Sequence, residues 1–143
     1  METQQTLFPQ WMRGFLLIAT AYNAGWGIFI RWFPDTFYSY VLEKSDLIAP
    51  EIITWQGWGV LVMAAVYLAI AIHPGRFWYL AIFGALTKVG GSIWFYFDIL
   101  EKQVGDKALF HLLMNDWIWV PLLIWIGVKA RQYQEAKNEV MQR

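Results

Sequence analysis

Cysteine is absent from the 143 residues, which excludes disulfides, thiolate metal centres, iron–sulfur clusters and thiol catalysis together and says nothing about compartment. Charge is scarce: 15% of residues carry it, against about 25% in an ordinary soluble domain. The charge that is present cancels, eleven basic against eleven acidic residues, so no basic surface recruits nucleic acid and no acidic tail solvates the chain. A phosphate loop, G-x-S-x-G, H-E-x-x-H and a dinucleotide fingerprint are all missing. The residues specify no cofactor, and whether the chain is an enzyme stays open at this level.

Apolar side chains are what remains: 58% of residues are hydrophobic and 19% aromatic, a composition that excludes disorder and indicates a membrane protein. A helix needs about 20 mostly apolar residues to cross the hydrocarbon. Four stretches meet that length, at about 11–32, 52–72, 77–97 and 108–128, with Lys88 the one charge inside the third and Asp116 the one charge inside the fourth. Alternating barrel strands are not seen, so the spans are expected to be helices. Ala19-Thr20-Ala21 has the small-x-small look of a signal cleavage site, but the apolar run continues to Trp32, which reads as a retained span.

Phe33-Pro34, Pro50-Glu51 and His73-Pro74-Gly75 punctuate the spans, and short connections make successive helices antiparallel neighbours. The expected fold is therefore all-α, a single integral membrane domain built as a four-transmembrane-helix up-down bundle. Between the first two spans, Phe37, Tyr38, Tyr40, Val41 and Leu42 form either a short interfacial helix or an ordered loop pinned by the same aromatics. The tail after Lys129 has weak helical spacing at Tyr133, Ala136 and Val140 and is a candidate continuation of the fourth helix. Arg13, Arg76, Lys129, Arg131, Lys137 and Arg143 lie on the side of both termini, against Arg31, Lys44, Lys102 and Lys107 opposite, which places both termini in the cytoplasm by the positive-inside rule.

Ionisable groups at membrane depth cost about 2.5–3.5 kcal/mol each on insertion scales. At about 1.5 Å per residue, Lys88 lies about 16 Å into its helix and Asp116 about 12 Å from the opposite end of the antiparallel fourth helix. Opposite charges at matching depth on neighbouring helices read as a pair, either a structural lock or a functional site. Gly84, Lys88 and Gly91 share one face, with Gly90 and Ser92 adjacent, and small residues mark close helix approach. Asn23 on the first span, Gln56 and Tyr67 on the second, and His111, Asn115 and Trp119 on the fourth complete a candidate interior site. His73 and His111 fall at opposite membrane faces, which argues against bis-histidine haem or metal ligation. Trp26, Trp58, Trp94, Trp117 and Trp119 lie deeper than the interfacial tryptophans, and their indole N–H groups want partners.

The ordered set Tyr22-Asn23-x-x-Trp26-Gly27, Phe33-Pro34, Trp55-Gln56-x-x-Gly59, Gly84-x-x-x-Lys88-x-x-Gly91 and Asn115-Asp116-x-x-Trp119-x-Pro121 resembles small uncharacterised bacterial four-helix integral membrane proteins, with a layout similar to the DoxX-like proteins. The resemblance covers nearly the whole chain. It implies a bacterial inner membrane and, from members of the broader group that bind sterols or other lipophilic ligands or isomerise them with intramembrane acids, a ligand-handling role for Asn115 and Asp116. Asn23 stands where four-helix multidrug exporters carry a first-helix acid, a departure from that family.

Three functions fit these residues. The first is binding of a lipophilic small molecule such as a quinone, isoprenoid or sterol-like lipid, with Lys88 and Asp116 meeting its polar head. The second is proton- or ion-coupled transport through a homodimer or larger homo-oligomer, with the same pair switching. The third is an accessory subunit whose aromatic face docks a larger membrane complex.

Overall fold

In a computed structural model that describes residues 8–142, the chain forms five helices and, among the described residues, no strand. They are α1 (Gln10–Trp32), α2 (Pro34–Leu42), α3 (Glu51–Ile72), α4 (Trp78–Ile99) and α5 (Asp106–Met141). Arg143, counted above in the charge asymmetry, lies outside the described residues. Each expected span falls on a helix, and α5 runs on past Val128 as one continuous element, so the tail does extend the last helix. Prolines set three of the starts: Pro9 precedes α1, Pro34 opens α2 and Pro50 precedes α3, positions where a missing N–H costs nothing. Glu43 closes α2 in the left-handed region at φ 55°.

α3, α4 and α5 are long and apolar enough to cross a membrane. α1 has the length, 23 residues, but Arg13, Thr20, Asn23 and Arg31 dilute it and it is not one of the three. Ile18, Val62 and Leu86 face outward, each at least 60% exposed, among many other large apolar groups. A soluble monomer rarely shows apolar surface on this scale; a bilayer is the medium that suits it.

α1 and α3 pack along one another as an antiparallel pair. A Cβ on Gly57 would stand 2.6 Å from the Arg31 backbone nitrogen, and one on Gly27 would stand 2.7 Å from Leu61 Cγ, so both glycines are required for the approach. α4 packs in the same way on the second half of α5, where Gly127 lies against Ile82. α2 is the helical alternative of the two left open above. It tucks Phe37 and Val41 into a core shared with Ile30, Ile53, Phe95 and Leu112. A second core joins Met12, Leu16, Tyr67, Ala85, Trp119, Leu123 and Ile126. Phe8 meets Tyr133 edge-on at 6.3 Å, which brings the start of α1 and the tail of α5 to the same end.

The glycine face of α4 is only half as expected. Gly84 is buried under Tyr67, but a Cβ on Gly90 or Gly91 would meet nothing within 4 Å. Beyond Lys88 the buried face runs through Ser92 and Phe95 instead. The last turn of α4, Phe95–Ile99, is π-helical, as is Leu113–Trp117 within α5. Each such turn winds in an extra residue, and π turns concentrate at functional sites. In α5 the π turn lies just before Pro121, which has no N–H to offer the Trp117 carbonyl one turn back.

Candidate functional site

Lys88 lies in the middle of α4, on the face buried against α1 and α5, and is 5% exposed. Its Nζ makes three contacts. It donates to the backbone carbonyl of Asn115 at 2.6 Å, donates to Asn23 Oδ1 at 3.2 Å, and pairs with Asp116 Oδ1 at 3.4 Å. An ammonium has three protons to place, and here each has an oxygen. The pair inferred from depth is therefore present, but its shortest contact is to a carbonyl that residue patterns do not display.

The π turn supplies that carbonyl's surroundings. Ile118 N–H bonds Leu113 O at 3.0 Å, one residue further back than an α-helix allows, so Met114 O loses its usual partner. The Trp119 indole N–H takes that place at 2.7 Å. Trp119 is buried, with Phe15 and Tyr22 rings 5.1 and 5.3 Å from its own, so this indole finds its partner in the helix backbone. The other deep tryptophans differ: Trp58 and Trp117 face outward, and Trp26 and Trp94 are half-buried.

Asn23 is held by its own helix, its Nδ2 donating to Ala19 O at 2.8 Å, which fixes Oδ1 toward Lys88. Asn115 Nδ2 donates to Asp116 Oδ1 at 3.3 Å. Asp116 thus accepts from one ammonium and one amide, and its side chain, 12% exposed against 6% for Lys88, is the more open half of the pair.

Around this core, buried polar atoms go without partners among the described residues: Tyr67 OH, His111 Nδ1 and Asn115 Oδ1. Tyr67 is fully buried and covers Gly84, one turn from Lys88. His111 sits one turn before Asn115, its ring within 4.9 to 5.4 Å of those of Trp26, Phe37 and Phe95. Unmet buried groups of this kind cost about 1–3 kcal/mol each, so each calls for a partner, an ordered water or an ion among them.

Gln56 belongs elsewhere. Since Gly57 lies on Arg31, Gln56 stands level with the end of α1, about six residues or 9 Å of helix rise beyond Trp26. Its Oε1 is also buried without a partner, but it is not part of the Lys88 cluster. The remaining residues named from sequence are brought together. The contributors that residue patterns missed are two backbone carbonyls and the Phe37–Phe95 wall around His111. Among the described residues no group of three or more metal-ligating side chains occurs. No protein-family model, curated protein or solved structure matches the chain.

Proposed function

We propose that the protein is a four-span membrane protein whose mid-membrane Lys88–Asp116 site binds the polar head of a lipophilic small molecule, such as a quinone, isoprenoid or sterol-like lipid. The observation that carries this reading is the set of unpartnered buried atoms within about one helical turn of the pair: Tyr67 OH, Asn115 Oδ1 and His111 Nδ1. A hydroxyl and an acceptor oxygen beside an ion pair suit a carbonyl- or hydroxyl-bearing head, and buried apolar neighbours suit its body. A structural lock makes no use of those three atoms, and a buried ion pair is weak evidence for stability.

Four crossings are supported by the packing of α1 along α3 and by the meeting of Phe8 with Tyr133, which an even number of passes requires. In this reading the helices form an up-down bundle with α2 at the interface and both termini on the cytoplasmic face of a bacterial inner membrane. The DoxX-like resemblance fits it. A ligand dissolved in the bilayer reaches the site laterally, from the side where Asp116 is the more open partner. If chemistry occurs, Asp116 is the acid or base.

The test is native mass spectrometry of protein extracted gently from its own membrane. A discrete bound mass, lost in Asp116→Asn and Lys88→Met proteins that still fold, is the expected result. Ligand retention unchanged in both variants defeats the proposal. Recovery as a bare homodimer moves transport to the front, and recovery only with other polypeptides favours an accessory subunit.

A further inference from the structure

A cavity of about 610 Å³ opens at the end where α1 begins and α5 ends. Its polar lining is Arg13 from the first turns of α1, His73 and Arg76 from the α3–α4 turn, and Tyr133, Gln134 and Lys137 from the tail of α5. Three are cations, the other three carry hydrogen-bond donors, and no described lining residue is acidic. The ion pairs among the described residues are Lys88–Asp116 and Arg131–Glu135, and neither involves one of the three cations. Arg13 Nε is buried without a hydrogen-bond partner among the described residues.

The cations are also oriented. The Arg13 guanidinium lies 5.9 Å from the Phe8 ring centroid and that of Arg76 5.3 Å from the Phe77 centroid. An aromatic platform holds the guanidinium plane without using its N–H donors. Gly75 brings the α3–α4 turn close against Tyr133 and Gln134, where a Cβ would displace the Gln134 amide. Like charges placed around one space repel, and no acid among the described residues lines this one.

We propose that this cavity binds a phosphate-bearing anion. Arg13 and Arg76 offer forked donors that match phosphate oxygens, and Lys137 adds a point charge. Two sources supply that chemistry: an anionic phospholipid headgroup and free phosphate. The cavity lies at the ends of the apolar helices, and Ile72 and Trp78 add an apolar stretch to its wall that suits an acyl chain. The proposal stands independently of the Lys88 site.

The experiment uses the full chain in detergent micelles, with phosphatidylglycerol, phosphatidylcholine and inorganic phosphate each added in turn and binding read by native mass spectrometry and calorimetry. Phosphatidylglycerol is expected to bind at least about tenfold more tightly than phosphatidylcholine, with a loss of about fivefold for each cation removed. Arg76→Gln and Lys137→Gln are the variants of choice, because both side chains are exposed and neither is needed for folding. Lys102→Gln, at the far end, keeps full binding. Saturable binding of inorganic phosphate without lipid preference, weakened by the same variants, supports the anion site and assigns it to a soluble phosphate. Equal binding of the two lipids with no phosphate binding overturns the proposal, as does a preference that Arg76→Gln and Lys137→Gln leave untouched.

Discussion

Removing the Asp116 carboxylate alone should destabilise the protein severely, while removing both charges should not. At 3.4 Å and an effective dielectric of about 20, the attraction between Lys88 and Asp116 is about 5 kcal/mol. In Asp116→Leu the ammonium keeps two neutral acceptors, Asn23 Oδ1 and Asn115 O, and loses its counter-ion. The expected cost is about 3–5 kcal/mol, the range for breaking a buried pair. Lys88→Met strands Asp116 with one amide donor and is expected to cost about as much. The double variant leaves no charge inside and should recover to within about 1 kcal/mol of the parent. The assay is unfolding in mixed micelles of increasing SDS fraction, read by the ten intrinsic tryptophans. Single costs that simply add in the double variant would refute the coupling. The double variant also separates structure from the proposed function: it should fold and yet retain no lipophile.

Other side chains carry sharper local expectations. Tyr67→Phe removes a hydroxyl that has no partner, so thermal stability should change by no more than about 0.5 kcal/mol, while ligand retention in native mass spectra falls. Trp119→Phe keeps the ring but orphans Met114 O, and a melt should show a loss of about 1–3 kcal/mol. Gly57→Ala forces a methyl into the Arg31 backbone and should cost about 1–3 kcal/mol. Gly91→Ala enters open space and should stabilise α4 by up to about 1 kcal/mol through helix propensity, a difference in sign that thermal unfolding reads directly.

Most of the helical frame was legible because proline and apolar run length act locally: α1, α3 and α4 begin and end within a few residues of the expected bounds. The Lys88–Asp116 pair was legible too, since rise per residue converts sequence position into depth and both charges needed a partner. Gly90 and Gly91 misled because small size alone does not show where a neighbour stands; the buried face runs through Ser92 and Phe95. Gln56 was grouped with the site because it shares a face of its span with Tyr67, whereas the contact of Gly57 with Arg31, a long-range fact, sets it level with the end of α1. His111 was named without its cage, because Trp26, Phe37 and Phe95 come from three separate helices. The carbonyl of Asn115 carried no signal, since every residue has one.

That carbonyl has a genetic consequence. The acceptor that Lys88 uses at 2.6 Å depends on how many residues are wound into the turn Leu113–Trp117, and on no side chain in it. Replacing Asn115 by any other residue leaves the oxygen where it is, so a scan of single substitutions passes over the shortest bond in the site. Deleting one residue from the turn restores the regular α ladder and returns Met114 O to a backbone donor, and because a π turn is one extra residue wound into an α-helix, the helix on either side keeps its register. His111 would keep its aromatic cage and Leu123 and Ile126 their packing, while the acceptor presented to Lys88 changed. In this helix the site is written partly in the spacing of the chain, and a mutation that changes length reaches it where a change of letter does not.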